Sequence, residues 1–129
     1  MNNYSNAYNT YKNNSVNYAS KEQLLLMILD GAVKYSKIGR QAILDKDINK
    51  KHESLMRTQD IIYELMISLD RNIGGEWADN LYNIYEFINK KLMEANIKAD
   101  AKIMDEVIPL IEEIRDMWHE VDKKMKSGK

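Results

Sequence analysis

The chain from Ile61 to Asn96 reads IIYELMISLDRNIGGEWADNLYNIYEFINKKLMEAN. Two amphipathic patterns flank its adjacent glycines, Gly74 and Gly75, and apolar side chains recur at spacings of 3 and 4 on both sides. That is the period of helices that pack side by side. Glycine has no Cβ and adopts the positive φ angles that end a helix. The stretch therefore predicts a helical hairpin that turns at the glycine pair. The two stripes are Leu55, Gln59, Ile62, Met66, Leu69 and Ile73 on the first arm, and Leu81, Tyr85, Ile88, Leu92 and Ala95 on the second.

The composition narrows the class of protein. A chain of 129 residues has room for one domain with a hydrophobic core. The absence of cysteine excludes a disulfide framework. The net charge is −1 and the lysines are interspersed with acidic residues, so the sequence shows no basic region for binding nucleic acid. No apolar run approaches the ~20 residues that span a bilayer, and the first residues show no apolar leader. We therefore predict a soluble, cytoplasmic, all-α protein with no membrane insertion.

Residues 1–19 differ from the rest of the chain because they are rich in asparagine and tyrosine. Asparagine favours turns over helix interiors, so we predict a flexible N-terminal segment. Two interpretations stay open for its tyrosines: an exposed, disordered tail, or a movable lid that covers an apolar surface. The tyrosines are Tyr4, Tyr8, Tyr11 and Tyr18.

Residues 20–126 predict an antiparallel four-helix bundle. Ser20 and Gln23 form a capping box, so a helix begins there and runs to about residue 44. Asp47 is expected to cap a second helix through about residue 70, and a third runs from about 76 to 96. Asp100 is expected to cap a fourth helix that ends near residue 126, with a kink or restart at Pro109. Four helices with short connections form a bundle of antiparallel neighbours.

The groups that an enzyme needs are scarce. The histidines are His52 and His119, and the motifs of zinc peptidases, P-loops and dinucleotide-binding folds are absent from the sequence. A di-metal bundle needs inward glutamates and Glu-x-x-His pairs, whereas the nearest match here is Asp116 followed by His119. We therefore predict no catalytic residue, no metal site and no cofactor.

The first and last helices each carry a second apolar stripe beside the inner one. On the last helix the inner stripe is Ile103, Val107, Leu110, Ile114, Met117 and Val121, and the second stripe is Met104, Ile108, Ile111 and Trp118. One interpretation is a broad core face. A second is an outward groove at Ile108, Ile111 and Trp118 that receives an amphipathic helix. A third is self-association of the chain into a homodimer through the same face. The residues alone leave these three interpretations open.

An ordered set of short motifs, from about Tyr11 to Trp118, is similar to a known family. It resembles the flagellar export chaperones of the FliS family, which bind flagellin in the cytoplasm. The residues that carry the resemblance are 11–16 (YKNNSV), Ala19, Ser20, 24–32 (LLLMILDGA), 61–65 (IIYEL), 68–70 (SLD), 74–76 (GGE), Asn80, Leu81, Ile84, Tyr85, Leu92, Ala95, Asn96, Ile114, Arg115 and Trp118.

The resemblance implies a non-enzymatic chaperone for the disordered C-terminal tail of flagellin. In the family, that tail wraps around the bundle, is kept from premature polymerisation and is delivered to the flagellar export apparatus. The alternative from the residues alone is a structural bundle that self-associates. The partner-binding residues that we expect are Leu65, Leu81, Tyr85, Ile108, Ile111 and Trp118 as apolar anchors, Asp30 and Asn80 for polar registration, and Tyr11 and Val16 in the lid.

Overall fold

A computed structural model describes residues 20–127, and these residues form four helices joined by short connections. Each helix packs against the next in the chain, and the last packs back against the first. The prediction of an all-α four-helix bundle is confirmed. The predicted lid residues Tyr11 and Val16 lie outside the described residues. The helices are α1 (Lys21–Leu44), α2 (Ile48–Ser68), α3 (Arg71–Lys98) and α4 (Ala101–Ser127).

Side-chain caps begin the first two helices where the sequence predicts them. The Ser20 hydroxyl accepts a hydrogen bond from the backbone amide of Gln23 at 3.2 Å, and the Gln23 side chain accepts one from the Ser20 amide at 3.0 Å. The Asp47 carboxylate accepts from the amide of Lys50 at 3.1 Å. Both caps pair amide groups that the first turn of a helix otherwise leaves without partners.

The connection between α2 and α3 has two parts, and the predicted break at the glycine pair is the second of them. α2 ends at Ser68, and the Asp70 carboxylate caps α3 by accepting from the amides of Asn72 at 3.1 Å and Ile73 at 3.0 Å. Gly75, with φ 57° and ψ −133°, then breaks the helical backbone as the glycine pair predicts, so the long part of α3 follows Gly75, whereas the short turn that Asp70 caps was not predicted. Ile73 was predicted to lie on the apolar stripe of α2, but it lies in the first turn of α3 and is 85% exposed.

The second apolar stripe of α4 faces the core. Met104 is fully buried, and Ile108 and Ile111 are only 8% and 1% exposed. The broad core face is therefore the correct interpretation, and the outward groove at Ile108 and Ile111 is wrong. Self-association of the chain into a homodimer stays a prediction. Pro109 lies on the exposed side, and α4 continues through it as one helix without the predicted restart.

Close packing of α1 on α2 depends on Gly39, which is buried beneath Leu55. A Cβ at position 39 would lie 2.5 Å from one Leu55 methyl carbon, and Leu55 has no room to move because it is fully buried. At Gly31, two turns earlier, a Cβ would meet Ile61 at an ordinary 3.7 Å.

We expect Gly39→Ala to lower the free energy of unfolding by about 1 kcal/mol or more. Overpacking a core costs about 1–3 kcal/mol, which exceeds the gain of about 1 kcal/mol from replacing a helical glycine by alanine. Gly31→Ala is the control and should be neutral or stabilising. Urea unfolding followed by circular dichroism measures both, and equal stabilities for the two variants would contradict the packing argument.

Candidate partner-binding groove

A groove follows the seam between α3 and α4, which pack against each other less extensively than the other neighbouring helices. Its volume is about 590 Å³. The buried side chains of Leu81 and Ile114 form its floor. The remaining apolar lining residues are Ile84 and Phe87 from α3 and Leu110 and Met117 from α4.

The groove exists because α3 carries more apolar side chains than the core accepts. One stripe of α3 is buried and contributes Leu81 and Tyr85 to the core. A second stripe lies beside it, and its members Ile84 and Phe87 are 42% and 48% exposed. Large apolar side chains in water are unfavourable by roughly 25 cal/mol per Å² relative to burial. A partner that covers this stripe therefore gains free energy without any change in the bundle.

An aromatic cluster lies beside the groove and connects its two helices. The indole N–H of Trp118 on α4 donates a hydrogen bond to the Tyr85 hydroxyl on α3 at 3.1 Å. The Trp77 ring meets the Trp118 ring edge to face, with centroids 5.8 Å apart. Burial raises the pKa of Tyr85 to about 12, and the hydrogen bond from Trp118 opposes that rise more weakly. Tyr85 therefore stays a neutral hydrogen-bond acceptor at physiological pH.

Few polar groups line the groove. Asn83 and Glu113 are its polar lining residues, and both are exposed. Just beyond Phe87, the Lys91 ammonium lies 5.6 Å from the centre of the Phe87 ring and 3.8 Å from the carboxylate of Glu106. The arrangement is suited to holding an apolar segment, because it offers a wide apolar surface with a few charges at its edge.

Most of the predicted anchors do not line the groove. Leu81 contributes to its floor, whereas Leu65, Tyr85, Ile108 and Ile111 are core residues. Their side chains pack together with the hydrophobic core of the bundle. A direct contact of these four with a partner stays a prediction.

The three remaining predicted residues are reachable from solvent but lie apart from one another. Trp118 is half-buried in the aromatic cluster. Asp30 lies on α1, where its carboxylate is 3.1 Å from the Nε2 atom of His119 on α4. Asn80 is exposed on α3, one turn before Ile84. The fold therefore does not bring Asp30 and Asn80 together into one polar site.

Of the groove residues, sequence reasoning predicted only Leu81 as a site residue. The partly exposed apolar residues that it missed are Ile84, Phe87, Leu110 and Met117. For α3 the missed signal was a second apolar stripe, since Trp77, Ile84 and Phe87 follow one another at the helical spacings of 7 and 3. Leu110 and Met117 were recognised as apolar, but they were assigned to the inner face of the last helix. The structure leaves both half-buried at the edge of that face.

The described residues hold no group of three or more histidine or acidic side chains that converge as metal ligands. A second depression, of about 750 Å³, lies where α2 meets α3. Its charged residues are Asp70, Arg71 and Asp79, and the Arg71 guanidinium pairs with the Asp79 carboxylate at 2.8 Å. The Asp70 carboxylate already accepts hydrogen bonds from backbone amides as the N-cap of α3. This depression is therefore explained by the structure of the turn.

Comparison with known proteins identifies the family. Residues 4–125 match the family model described as flagellar protein FliS. This chain belongs to the FliS family. The resemblance seen in the sequence is thereby confirmed.

Within residues 20–127, none of the four helices combines the length and the apolar character that crossing a bilayer requires.

Several relatives of this FliS-family chain are named flagellar secretion chaperones. It is 37% identical over 113 residues to FliS of Bacillus subtilis, an alignment that covers 88% of this chain and 84% of the relative. It is 34% identical over 107 residues to FliS of Salmonella typhimurium, covering 82% and 79%. It is 30% identical over 115 residues to FliS of Campylobacter jejuni, covering 89% and 90%.

The buried hydroxyl of Tyr85 makes a testable contribution to stability. We expect Tyr85→Phe to lower the free energy of unfolding by about 1 kcal/mol at neutral pH, because the Trp118 N–H loses its partner. Because the folded pKa is above the unfolded value near 10, the wild type should lose stability as pH rises from about 10 to about 12. Tyr85→Phe should lack that component of the loss.

Denaturant unfolding of the wild type and Tyr85→Phe at a series of pH values measures this difference. Titration of the other tyrosines and of the lysines affects both proteins and cancels when the two are compared. A stability difference that stays constant from pH 7 to about pH 12 would contradict the raised pKa of Tyr85.

Proposed function

We propose that this FliS-family protein is a cytoplasmic, non-enzymatic export chaperone that binds the disordered C-terminal tail of flagellin. Bound tail is kept from premature polymerisation and is delivered to the flagellar export apparatus. The family match and the names of the relatives support a role as a flagellar secretion chaperone. The apolar groove between α3 and α4 supports tail binding on helix faces.

The observation that carries the proposal is the half-exposed stripe of Ile84 and Phe87 beside the buried floor of Leu81 and Ile114. This surface suits an amphipathic segment with apolar anchors at positions i, i+3, i+4 and i+7. The groove widens the set of partner-binding residues beyond those predicted from the sequence. Leu65, Tyr85, Ile108 and Ile111 are core residues, and this proposal does not require them to contact the tail directly.

The size of the groove sets a further requirement. A disordered tail loses conformational freedom when it docks, at a cost of roughly 2–5 kcal/mol or more, and such complexes typically bury about 1,000–3,000 Å². One groove between two helices is too small for that area. The tail is therefore expected to continue from the groove along neighbouring helix faces, past exposed apolar side chains such as Trp77 and Ile73.

Calorimetric titration with a synthetic C-terminal peptide of flagellin from the same organism tests the function. Saturable binding near one-to-one, with a negative heat-capacity change between two temperatures, is the expected result, because apolar surface is buried. The absence of heat at both temperatures, together with failure of the peptide to co-elute with the protein, would show that the chain has kept the family fold without this activity.

Phe87→Glu tests where the tail binds. We expect the affinity for the tail peptide to fall by about 30-fold or more, because a charge replaces a central apolar contact. The helical content should be unchanged, since Phe87 is half-exposed in the folded protein. Ile48→Glu is the matched control: it adds the same charge at an apolar side chain that is 72% exposed in the first turn of α2, away from the groove.

Calorimetry measures the affinities of both variants, and circular dichroism verifies that both fold. Equal affinities of the two variants for the tail peptide would show that the tail does not bind in the groove.

The N-terminal segment enters the proposal as a lid that competes with the tail. In this view Tyr11 and Val16 cover part of the apolar surface until the tail displaces them. We expect Tyr11→Ala to leave folding intact and to tighten tail binding, because a lid that occupies the site reduces the apparent affinity by the fraction of open protein. Tyr63→Ala, which removes an exposed tyrosine from α2, is the control for calorimetry. An affinity that Tyr11→Ala leaves unchanged would exclude the lid.

A further inference from the structure

Glu113 is the charged residue among the side chains that line the α3–α4 groove. It lies on α4 between Leu110 and Met117, one turn from each, and lines the same groove as Ile84 and Phe87 of α3. Its carboxylate therefore borders the apolar surface on which a docked segment would lie.

One cation on each of the two helices already has a carboxylate partner. Lys91 lies 3.8 Å from Glu106, and Arg115 lies 2.9 Å from Asp116. No ion pair or hydrogen bond connects the Glu113 side chain to another group in the part of the chain from residue 20 to residue 127. In the free protein this has little cost, because Glu113 is exposed and water solvates it.

Docking changes the environment of this carboxylate. An apolar segment that fills the groove removes water from Glu113, and a charge without water or a partner is strongly unfavourable. A segment that brings a positive charge to the same place restores the lost interaction. Discrimination between segments then comes from the penalty on the wrong partner as much as from attraction to the right one.

We infer that Glu113 is a specificity-determining residue, which selects a client segment with a basic side chain at the edge of its apolar face. This inference rests on the proposed function. Arginine is the better match, because its planar guanidinium pairs with both carboxylate oxygens. Its aliphatic stem would also lie along Leu110 or Met117 while its charged end reaches Glu113.

The test compares Glu113→Gln with the wild type in titrations with the synthetic flagellin C-terminal peptide, at low and at high ionic strength. Glutamine keeps the size of the side chain and removes its charge. We expect the affinity at low ionic strength to fall roughly 3- to 10-fold, and its dependence on salt to weaken. Glu53→Gln is the matched control, since it removes the same charge from the exposed side of α2, away from the groove.

A set of peptides in which each lysine or arginine is replaced in turn by glutamine identifies the partner of Glu113. For the peptide that lacks the pairing residue, the loss of affinity should be larger with the wild type than with Glu113→Gln, so that the two changes are not additive. Additive losses for every peptide would overturn the pairing.

The outcomes separate the inference from the proposed function. If the wild type binds the peptide and Phe87→Glu weakens binding, but Glu113→Gln behaves like Glu53→Gln or binds more tightly, the groove stands and the selection by Glu113 is wrong. If the wild type does not bind the peptide at all, the proposed function fails and the inference fails with it.

Discussion

The structure depends on how much of each helix a four-helix bundle can bury. A helix in such a bundle presents about three positions in seven to the core. α3 exceeds that share, because Ile84 and Phe87 form a stripe beside the one that is buried. The buried stripe is continuous with the core formed by the other three helices, so it determines the rotation of α3. The second stripe is then left at the surface as the wall of a groove.

The sparse packing of α3 on α4 leaves room for that groove, and the aromatic cluster keeps its two sides together. The hydrogen bond from Trp118 to Tyr85 joins the helices within the half-buried layer, where a polar pair is well protected from water. The contact between Trp77 and Trp118 extends the same connection towards the surface. The groove can therefore stay open without allowing the two helices to separate.

Much of the fold was predictable because its signals are local. The caps at Ser20 and Asp47 depend on residues three positions apart, and apolar periodicity depends on one helix at a time. The connection between α2 and α3 was predicted only in part, because two local signals act there one after the other. Asp70 caps a short helical turn immediately after Leu69, and Gly75 then interrupts the helical backbone with its positive φ before the long part of α3 begins. The glycine pair predicts the interruption but not the short turn that precedes it.

The candidate site was less predictable, because exposure depends on the rotation of each helix about its own axis. Ile108 and Ile111 were candidates for an outward groove, and they are in the core. Leu110 and Met117 were assigned to the inner face, and they border the groove. Neighbouring stripes on α4 differ by only one position, so a small rotation exchanges their environments. Only contacts with α1 and α3 select that rotation.

The helical class, the first two helix caps, the family and the excess of apolar side chains can all be read from the sequence, because they follow from residue type and from the spacing and order of short motifs. Which apolar stripe is buried and which remains at the surface depends on how the four helices pack together. Burial is shared among four helices, and the stripe with the greatest mutual contact occupies the core. For α3 that choice left Ile84 and Phe87 facing water beside Glu113, which no pattern within a single helix specifies.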